Sequence, residues 1–546
     1  GDVAFLSQSG AICAAAIDWA RGQGYGISRL VSLGNQADVR ESDVLTQVAA
    51  DEHTRVLALY LEGVQDGRHF VRQAQQVVKQ KPIIALKVGK FEAGRKAVAS
   101  HTGALAGKDS AYTAAFRRAG VLRAKNTEGM FDQARALAWC SPPEGNRVAI
   151  LTNAGGPGVT AADALEEHGL ALASLETGTR DRLQEILPPA ASLENPVDLL
   201  ASATPEQFAE CLTILLQDAG TDSVMVIFPT PPMHAAGAVA RALIPVIQAA
   251  AKPVVVSVMG ERLIQEAVEH LRAARIPEYR FPERAAAALS ALYQRAQLLN
   301  MARAPVETRD DVDPDQVKEI LEDNGSRKPL SSRLAHQILE AYGIHTARMY
   351  LADTEDQAVL LANTVGLPVV LKVASPDISH KTDVGGVLLN LTEEEAVRAG
   401  FRSILRETRA GLPEAEIRGV YVQKMITSGQ EVIVGAVRDP QFGPVTMFGS
   451  GGTEVEGLKD IAFGLAPLTE IEAEEMMAST WAGRKLQGYR NLPPADRNQV
   501  KETLLRLAQL ADDFPQFEEI EINPLRVLPE GEGAVAVDVR IHFQGN

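Results

Sequence analysis

The sequence predicts an α/β protein of several domains: two doubly wound parallel-sheet domains in tandem, then a portion of α+β character. Three observations carry this. Apolar strands alternate with amphipathic helices over the first third, and the opening pattern of strand, glycine-rich turn and helix returns near residue 146. Beyond residue 300 the composition turns polar and acidic, then changes to strands joined by glycine turns.

The elements follow in order. VAFLS (3–7) reads as a buried strand, Gln8-Ser9-Gly10 as a turn and AICAAAIDWARGQG as a helix. RLVSLG (29–34), RVLALYLEG (55–63) and KPIIALKVGK (81–90) are further strands of this β-α-β rhythm. NRVAILTNAGGPGVTAADALEEHGL (146–170) repeats the opening, and SVMVIFPTPP (223–232) and KPVVVSVMG (252–260) continue it. The expected domains are therefore 1–145 and 146–300. ETRDDVDPDQVKEILEDNGSRKPLSS (307–332) carries one short helical pattern and reads as an interdomain linker, assigned to 301–327. SSRLAHQILEAYGI (331–344) is a capped helix ending at Gly343, within a last domain over 328–546 that holds the strands LPVVLKVAS, GVYVQKMI, EEIEINPLRVL and AVAVDVRIHF.

At 546 residues the chain exceeds one ordinary core, and 46% apolar with 23% charged residues is a globular composition. A net charge of −16 argues against a nucleic-acid or anionic-membrane surface, though not against a local basic pocket. The three cysteines, Cys13, Cys140 and Cys211, suit neither a disulfide framework nor a zinc site, so a reducing cytosol is expected. No apolar run approaches membrane-spanning length. HExxH, GxSxG and CxxC are absent, which removes the usual zinc-protease, serine-hydrolase and thioredoxin chemistries.

The stretch VASHTGALAGKD (98–109) is not a P-loop, because Gly103 and Gly107 have only three residues between them and Asp109 follows Lys108. His101 instead follows a strand ending near Val88, at the carboxyl rim where doubly wound sheets collect ligands. Ser7-Gln8-Ser9-Gly10, Gly34-Asn35 and Glu62 reach the same rim. A helix start at Ser9-Gly10 offers N–H donors to phosphate, and a carboxylate such as Glu62 can fix the imidazole tautomer so that the other ring nitrogen is free to attack. The same residues also suit a bare helix start and a solvated strand end. Asn153-Ala154-Gly155-Gly156-Pro157-Gly158 is a second helix-start nest, or a tight βα turn. In the last third, Lys372 ends a strand, Phe448-Gly449-Ser450-Gly451-Gly452-Thr453 is a glycine loop, and Glu519, Glu521 and Asn523 alternate on one strand face with Asp538 on the neighbouring strand. Oxygen ligands of this kind suit Mg²⁺ with ATP, but a solvated strand face has the same pattern. SPDISHKTDVGGV (375–387) presents His380 and Lys381, and an ordinary polar loop would read alike. The other eight histidines, His336 among them, read as surface or packing residues.

Taken together, SHTGALAG, SQSGA, SLGNQADV, YLEG, SPDISHKTDVGGV, EVIVGAVRDPQFGPV, FGSGGTEVE and EINPL resemble the NDP-forming acyl-CoA synthetases, relatives of succinyl-CoA synthetase, over nearly the whole chain. The resemblance implies two flavodoxin-like domains and an ATP-grasp module. It implies an acid–CoA ligase that forms ADP, with ATP, CoA and a carboxylic acid as substrates, Mg²⁺ as cofactor and phosphohistidine and acyl phosphate as intermediates. It assigns His101 as the phosphorylated histidine with Glu62 as its partner, and His380 as a relay on a mobile loop. Ser9, Gly10, Gly155, Gly156 and Gly158 would hold phosphate. Lys372, Gly451 and Gly452 would face ATP, and Asn523 and Asp538 would lie near Mg²⁺. Family members often associate, so a homo-oligomer is expected. Fused members usually begin with a CoA-binding domain, whereas nothing precedes Gly1, so the sequence reads as a fragment or a chain without that domain and is expected to bind CoA poorly. Two other readings compete: a regulatory module of a protein lysine acetyltransferase, and a non-catalytic sensor of ATP or acyl-CoA.

Overall fold

A computed structural model describes residues 1–91, 109–229, 233–325, 330–378, 381–451 and 460–543. The chain divides into two compact units, Gly1–Arg303 and Ala304–Asn546. Among the described residues no helix is long and apolar enough to cross a membrane.

The first unit holds two parallel sheets. Strands β1 (Val3–Ser7), β2 (Ile27–Ser32), β3 (Val56–Leu61), β4 (Ile83–Lys87) and β5 (Leu122–Arg123) pair in the order β2-β1-β3-β4-β5, all parallel. β1 and β4 are buried along their whole length, which explains their continuous apolar runs: helices cover both faces of a parallel sheet. Strands β6 (Arg147–Thr152), β7 (Ala171–Leu172), β8 (Val197–Asp198), β9 (Ser223–Pro229), β10 (Val254–Met259) and β11 (Glu278–Tyr279) form the second sheet in the order β11-β10-β9-β6-β7. β8 pairs with β6 beyond β7: Ala171 lies opposite Arg147 and Val197 opposite Leu151, so two short strands share one edge position. Both sheets thus have the flavodoxin order, and the strand order reverses between β1 and β3 and again between β6 and β9.

A long helix, Pro282–Arg303, lies along both domains of this unit. Its Ala285, Leu289 and Leu292 enter one core with Phe5, Phe131 and Ala134 of the first domain and Ile150 and Leu165 of the second.

The second unit contains a small antiparallel sheet, β12 (Met349–Ala352), β13 (Val369–Ala374), β14 (Val387–Leu391) and β15 (Gly419–Lys424), in the order β12-β15-β13-β14. Helices Glu355–Val365 and Glu394–Gly411 pack on it through Ala358, Ala362, Val397 and Phe401. A larger antiparallel sheet comprises β16 (Gln430–Asp439), β17 (Gly443–Ser450), β18 (Ile461–Leu465), β19 (Phe517–Val527), β20 (Ala534–Ala536) and β21 (Val539–Phe543). The stretch 307–332 is not a free spacer. It forms the helix Pro314–Asn324, whose Val317 and Leu321 are buried in the core of this unit with Ile338, Leu339 and Leu507. Its acidic surface had hidden an apolar pair at i and i+4.

Candidate functional site

In the first domain, Ser9, Gly10 and Glu62 lie at the strand-order switch between β1 and β3. Ser9 precedes the helix Gly10–Gly22, and its side chain makes no capping bond to the first N–H groups of that helix. The turn is held from behind: the Ser7 hydroxyl donates to the Ser9 carbonyl (2.9 Å) and accepts from the Ser9 N–H (3.0 Å). The second domain repeats the device. Thr152 Oγ1 bonds the carbonyl (3.1 Å) and the N–H (3.2 Å) of Ala154, ahead of the equally uncapped helix Gly155–Glu167. Gly155 and Gly156 are exposed there. Gly158 is different: it is buried, its N–H faces the Ala154 carbonyl at 3.4 Å, and an added Cβ would lie 3.3 Å from Pro196. Gly158 therefore serves packing, and the available donors are those of Gly155 and Gly156. Asn153, just ahead, is buried with an Oδ1 that has no partner among the described residues.

Glu62 follows β3, and its Oε2 is buried without a partner among the described residues. Its backbone is clamped by Gln8, whose Oε1 accepts from the N–H groups of Glu62 (2.6 Å) and Gly63 (3.0 Å), while Nε2 donates to the Gly63 carbonyl (2.6 Å). His101, on the segment after β4, lies outside the described residues, as do His380 and Gly452.

In the second unit, Lys372 sits within β13 rather than at its end and is buried. Its Nζ donates to the Val537 carbonyl (3.1 Å) and lies 3.4 Å from Asp538 Oδ1. Asp538 precedes β21 instead of lying on it. Burial alone would raise the pKa of its carboxyl, but Lys372, Lys381 and Arg540 hold it below the ordinary carboxylate range. Asn523 reaches the same place, its N–H donating to the Asp538 carbonyl at 3.0 Å. Glu519, Glu521 and Asn523 do share one face of β19, opposite the buried Ile520 and Ile522, and Asn523 Nδ2 donates to Glu521 at 3.2 Å. Asp538, held in its charged form, and the neutral amide Asn523 make a small oxygen-bearing set. That fits Mg²⁺, which takes one or two protein ligands and completes its shell with water and phosphate.

Gly451 closes β17. Its backbone passes so near β16 that an added Cβ would lie 2.5 Å from the Val432 carbonyl carbon, so only glycine fits. Ser450 Oγ donates to Asp460 (2.9 Å), which also accepts from the N–H groups of Trp481 (2.7 Å) and Ala482 (2.8 Å) and so fixes one side of the glycine loop.

Three residues of this centre, Lys381, His336 and Gln423, were given no site role by the sequence. Lys381 is buried and, with Arg540, lines a cleft of about 270 Å³ bounded by Ser332, Ser375 and β21. His336, expected at the surface or in packing, is buried beside the Lys372–Asp538 pair, and neither ring nitrogen has a partner among the described residues. Gln423 Nε2 bonds the carbonyls of Ala347 (3.0 Å) and Val537 (3.2 Å), joining His336's surroundings to Lys372. The available signal was the position of His336 on the apolar face of the helix Ser332–Ala341, between Ala335 and Leu339.

Comparison with known proteins follows the same division. Family models match a succinyl-CoA ligase like flavodoxin domain over residues 1–137, a ligase-CoA domain over 148–302 and an ATP-grasp domain over 320–543. The acetate–CoA ligase (ADP-forming) I of Archaeoglobus fulgidus is 42% identical over 539 residues, 98% of this chain and 77% of that protein. The 4-hydroxybutyrate–CoA ligase (ADP-forming) of Nitrosopumilus maritimus is 36% identical, over 99% of this chain and 78% of that protein. Among solved structures, an acetyl-coenzyme A synthetase 1 of Ca. Korarchaeum cryptofilum in complex with phosphate and ADP matches with a TM-score of 0.54 at 36% identity, covering 57% of this chain and 68% of that one. With likeness of this degree along nearly its whole length, and the tandem flavodoxin and ATP-grasp folds in the same order, the chain belongs to the ADP-forming acyl-CoA synthetase family.

Proposed function

We propose that the chain catalyses acid + ATP + CoA ⇌ acyl-CoA + ADP + phosphate through two phosphohistidines. In the synthetic direction the γ-phosphoryl group passes from ATP to His380 and then to His101. The carboxylate oxygen of the acid attacks the phosphorus on His101, the P–N bond breaks, and an acyl phosphate forms. The CoA thiolate then attacks the acyl carbon and expels phosphate. Glu62 holds one nitrogen of the His101 ring so that the other stays nucleophilic, and the helix starts at Ser9-Gly10 and Gly155-Gly156 receive the negative oxygens. Lys372, Lys381 and the loop at Gly451 and Gly452 bind the nucleotide phosphates. Asp538 and Asn523 would hold Mg²⁺, which when bound neutralises phosphate charge.

The observation that carries this reading is the half-buried Glu62 at the strand-order switch, whose Oε2 is buried and unpartnered among the described residues and whose peptide is fixed by Gln8. A solvated strand end has no use for such a clamp. Three free cysteines agree with a reducing cytosol, where the enzyme works as a homo-oligomer. Incubation of the protein with γ-labelled ATP and Mg²⁺ tests the mechanism. Acid-labile, base-stable label that disappears in His101→Ala is expected; a wild type that stays unlabelled overturns the reading in favour of a sensor.

A further inference from the structure

We propose that Tyr112 is a positioning residue for the phosphoryl-accepting centre, holding the Glu62–Val64 turn through its hydroxyl and braced by the Lys87 ammonium. The inference rests on the assignment of Glu62 made above.

Beyond Leu61, the last residue of β3, three successive N–H groups are taken by side chains. Gln8 Oε1 accepts from Glu62 (2.6 Å) and Gly63 (3.0 Å), and the Tyr112 hydroxyl accepts from Val64 (2.9 Å). The two holds come from different elements: Gln8 follows β1, whereas Tyr112 lies on the helix Asp109–Ala119. Tyr112 is fully buried. A buried phenol needs a partner for its hydroxyl, and here one is the backbone of the turn that carries Glu62.

The ring itself is braced. Phe116 meets it edge-on with centroids 5.9 Å apart, and Lys87 Nζ lies over it, 4.6 Å from the centroid. Lys87 is the last residue of β4, stands opposite Leu61 in the sheet register and is 1% exposed. Burying an ammonium is costly, and the rest of β4, Ile83-Ile84-Ala85-Leu86, is apolar, so packing alone would be served by another aliphatic side chain. What the ammonium adds is attraction to the ring face and a hydrogen bond to the Val88 carbonyl. The Val88 N–H in turn donates to the Leu61 carbonyl at 3.0 Å. Leu61, Val88, Lys87 and Tyr112 thus form one chain of contacts that ends on the Val64 N–H, in the turn that begins at Glu62. Lys87 and Tyr112 also bracket His101 in sequence. The pair therefore joins the two ends of the stretch that carries the histidine, while the phenol fixes the turn that carries its proposed partner.

The test compares Y112F and K87M with wild type. It reads the maximal rate at which the His101 peptide acquires acid-labile label from γ-labelled ATP, the KM for ATP in that reaction, and the thermal midpoint. Y112F keeps the ring and the cation beside it and loses only the hydroxyl. It is expected to slow the maximal rate by about tenfold with KM for ATP within about twofold, since a misaimed group costs rate without touching the nucleotide. K87M is expected to slow it by about threefold or more, again at unchanged KM. A purely structural role would lower the midpoint and leave the rate per folded molecule unchanged, and that result overturns the inference; so does a raised KM at an unchanged maximal rate. If Y112F does not fold, K87M decides: slowed labelling at unchanged KM supports the proposal, and a wild-type rate overturns it. An unlabelled wild type would overturn the ligase reading itself, and this inference with it; a labelled wild type with an equally labelled Y112F overturns the inference alone.

Discussion

Arg135 Nη1 and Glu278 Oε1 meet at 3.0 Å with side chains 3% and 2% exposed, and the pair ties the first flavodoxin-like domain to the second. Arg135 comes from the helix Thr127–Trp139 and Glu278 opens β11. The guanidinium also stacks over the Tyr279 ring at 4.9 Å, the Tyr279 hydroxyl donates to the Asp132 carbonyl at 2.9 Å, and Arg272 Nε adds a second bond to Glu278 at 2.8 Å. The seam is therefore held by a buried polar network as well as by the shared apolar core. In the proposed mechanism the two helix starts receive one phosphoryl group, and such a brace would keep them aligned.

Breaking this pair from one side should be far more damaging than replacing it. E278L leaves a buried guanidinium without its carboxylate and is expected to cost about 3–5 kcal/mol, whereas R135M combined with E278L should recover most of that loss through apolar packing. Urea denaturation of the single and double variants checks this. A wild-type midpoint for E278L would mean that the network does not brace the seam.

Much of the scaffold was legible because the information is local. A buried parallel strand writes itself as an apolar run, as in VAFLS, and an uncapped glycine-rich helix start is visible at Gly155-Gly156. The rim positions of Ser9 and Glu62 followed from that rhythm, whereas Lys372, expected at a strand end, lies within β13. What stayed hidden depends on contacts far along the chain. Gln8 stands inside a motif that was singled out, yet the peptide N–H groups it fixes are 54 and 55 residues away. Glu41 heads the run Glu41-Ser42-Asp43, and nothing in that local pattern says that it is buried. The acidic stretch 307–332 was misread for the opposite reason: its surface residues outnumber the Val317 and Leu321 that dock it.

Lys372 should govern nucleotide affinity more than chemistry at the histidine of the first unit. Its ammonium is held by the Val537 carbonyl and Asp538, so it is pre-aimed before any phosphate arrives. K372M is expected to raise KM for ATP by about tenfold or more, the worth of a charge-assisted hydrogen bond. It should leave the conversion of acyl phosphate and CoA into acyl-CoA within about twofold, because that half-reaction needs no nucleotide. A variant that loses both reactions equally would contradict this division of labour.

His336 predicts a pH dependence with a definite sign. Burial first, and then the neighbouring Lys372, push its pKa down to about 4 from 6.5, with Lys381 acting the same way and Asp538 opposing them. In the unfolded chain the ring takes its proton near the ordinary value. Between those two values the unfolded state binds more protons than the folded one, so stability rises with pH across the window. The contribution is complete above about pH 6.5 and fades as pH falls towards 4, a difference of about 3 kcal/mol at the 1.36 kcal/mol per unit that links pKa to free energy. Carboxylates elsewhere titrate in part of the same range, so the informative quantity is wild type minus His336→Gln. Denaturation midpoints measured from pH 4 to 7 should fall more steeply on the acid side for the wild type than for the variant. Parallel curves would mean that the imidazole takes up its proton without penalty, and that its ring nitrogens, unpartnered among the described residues, are reached by water.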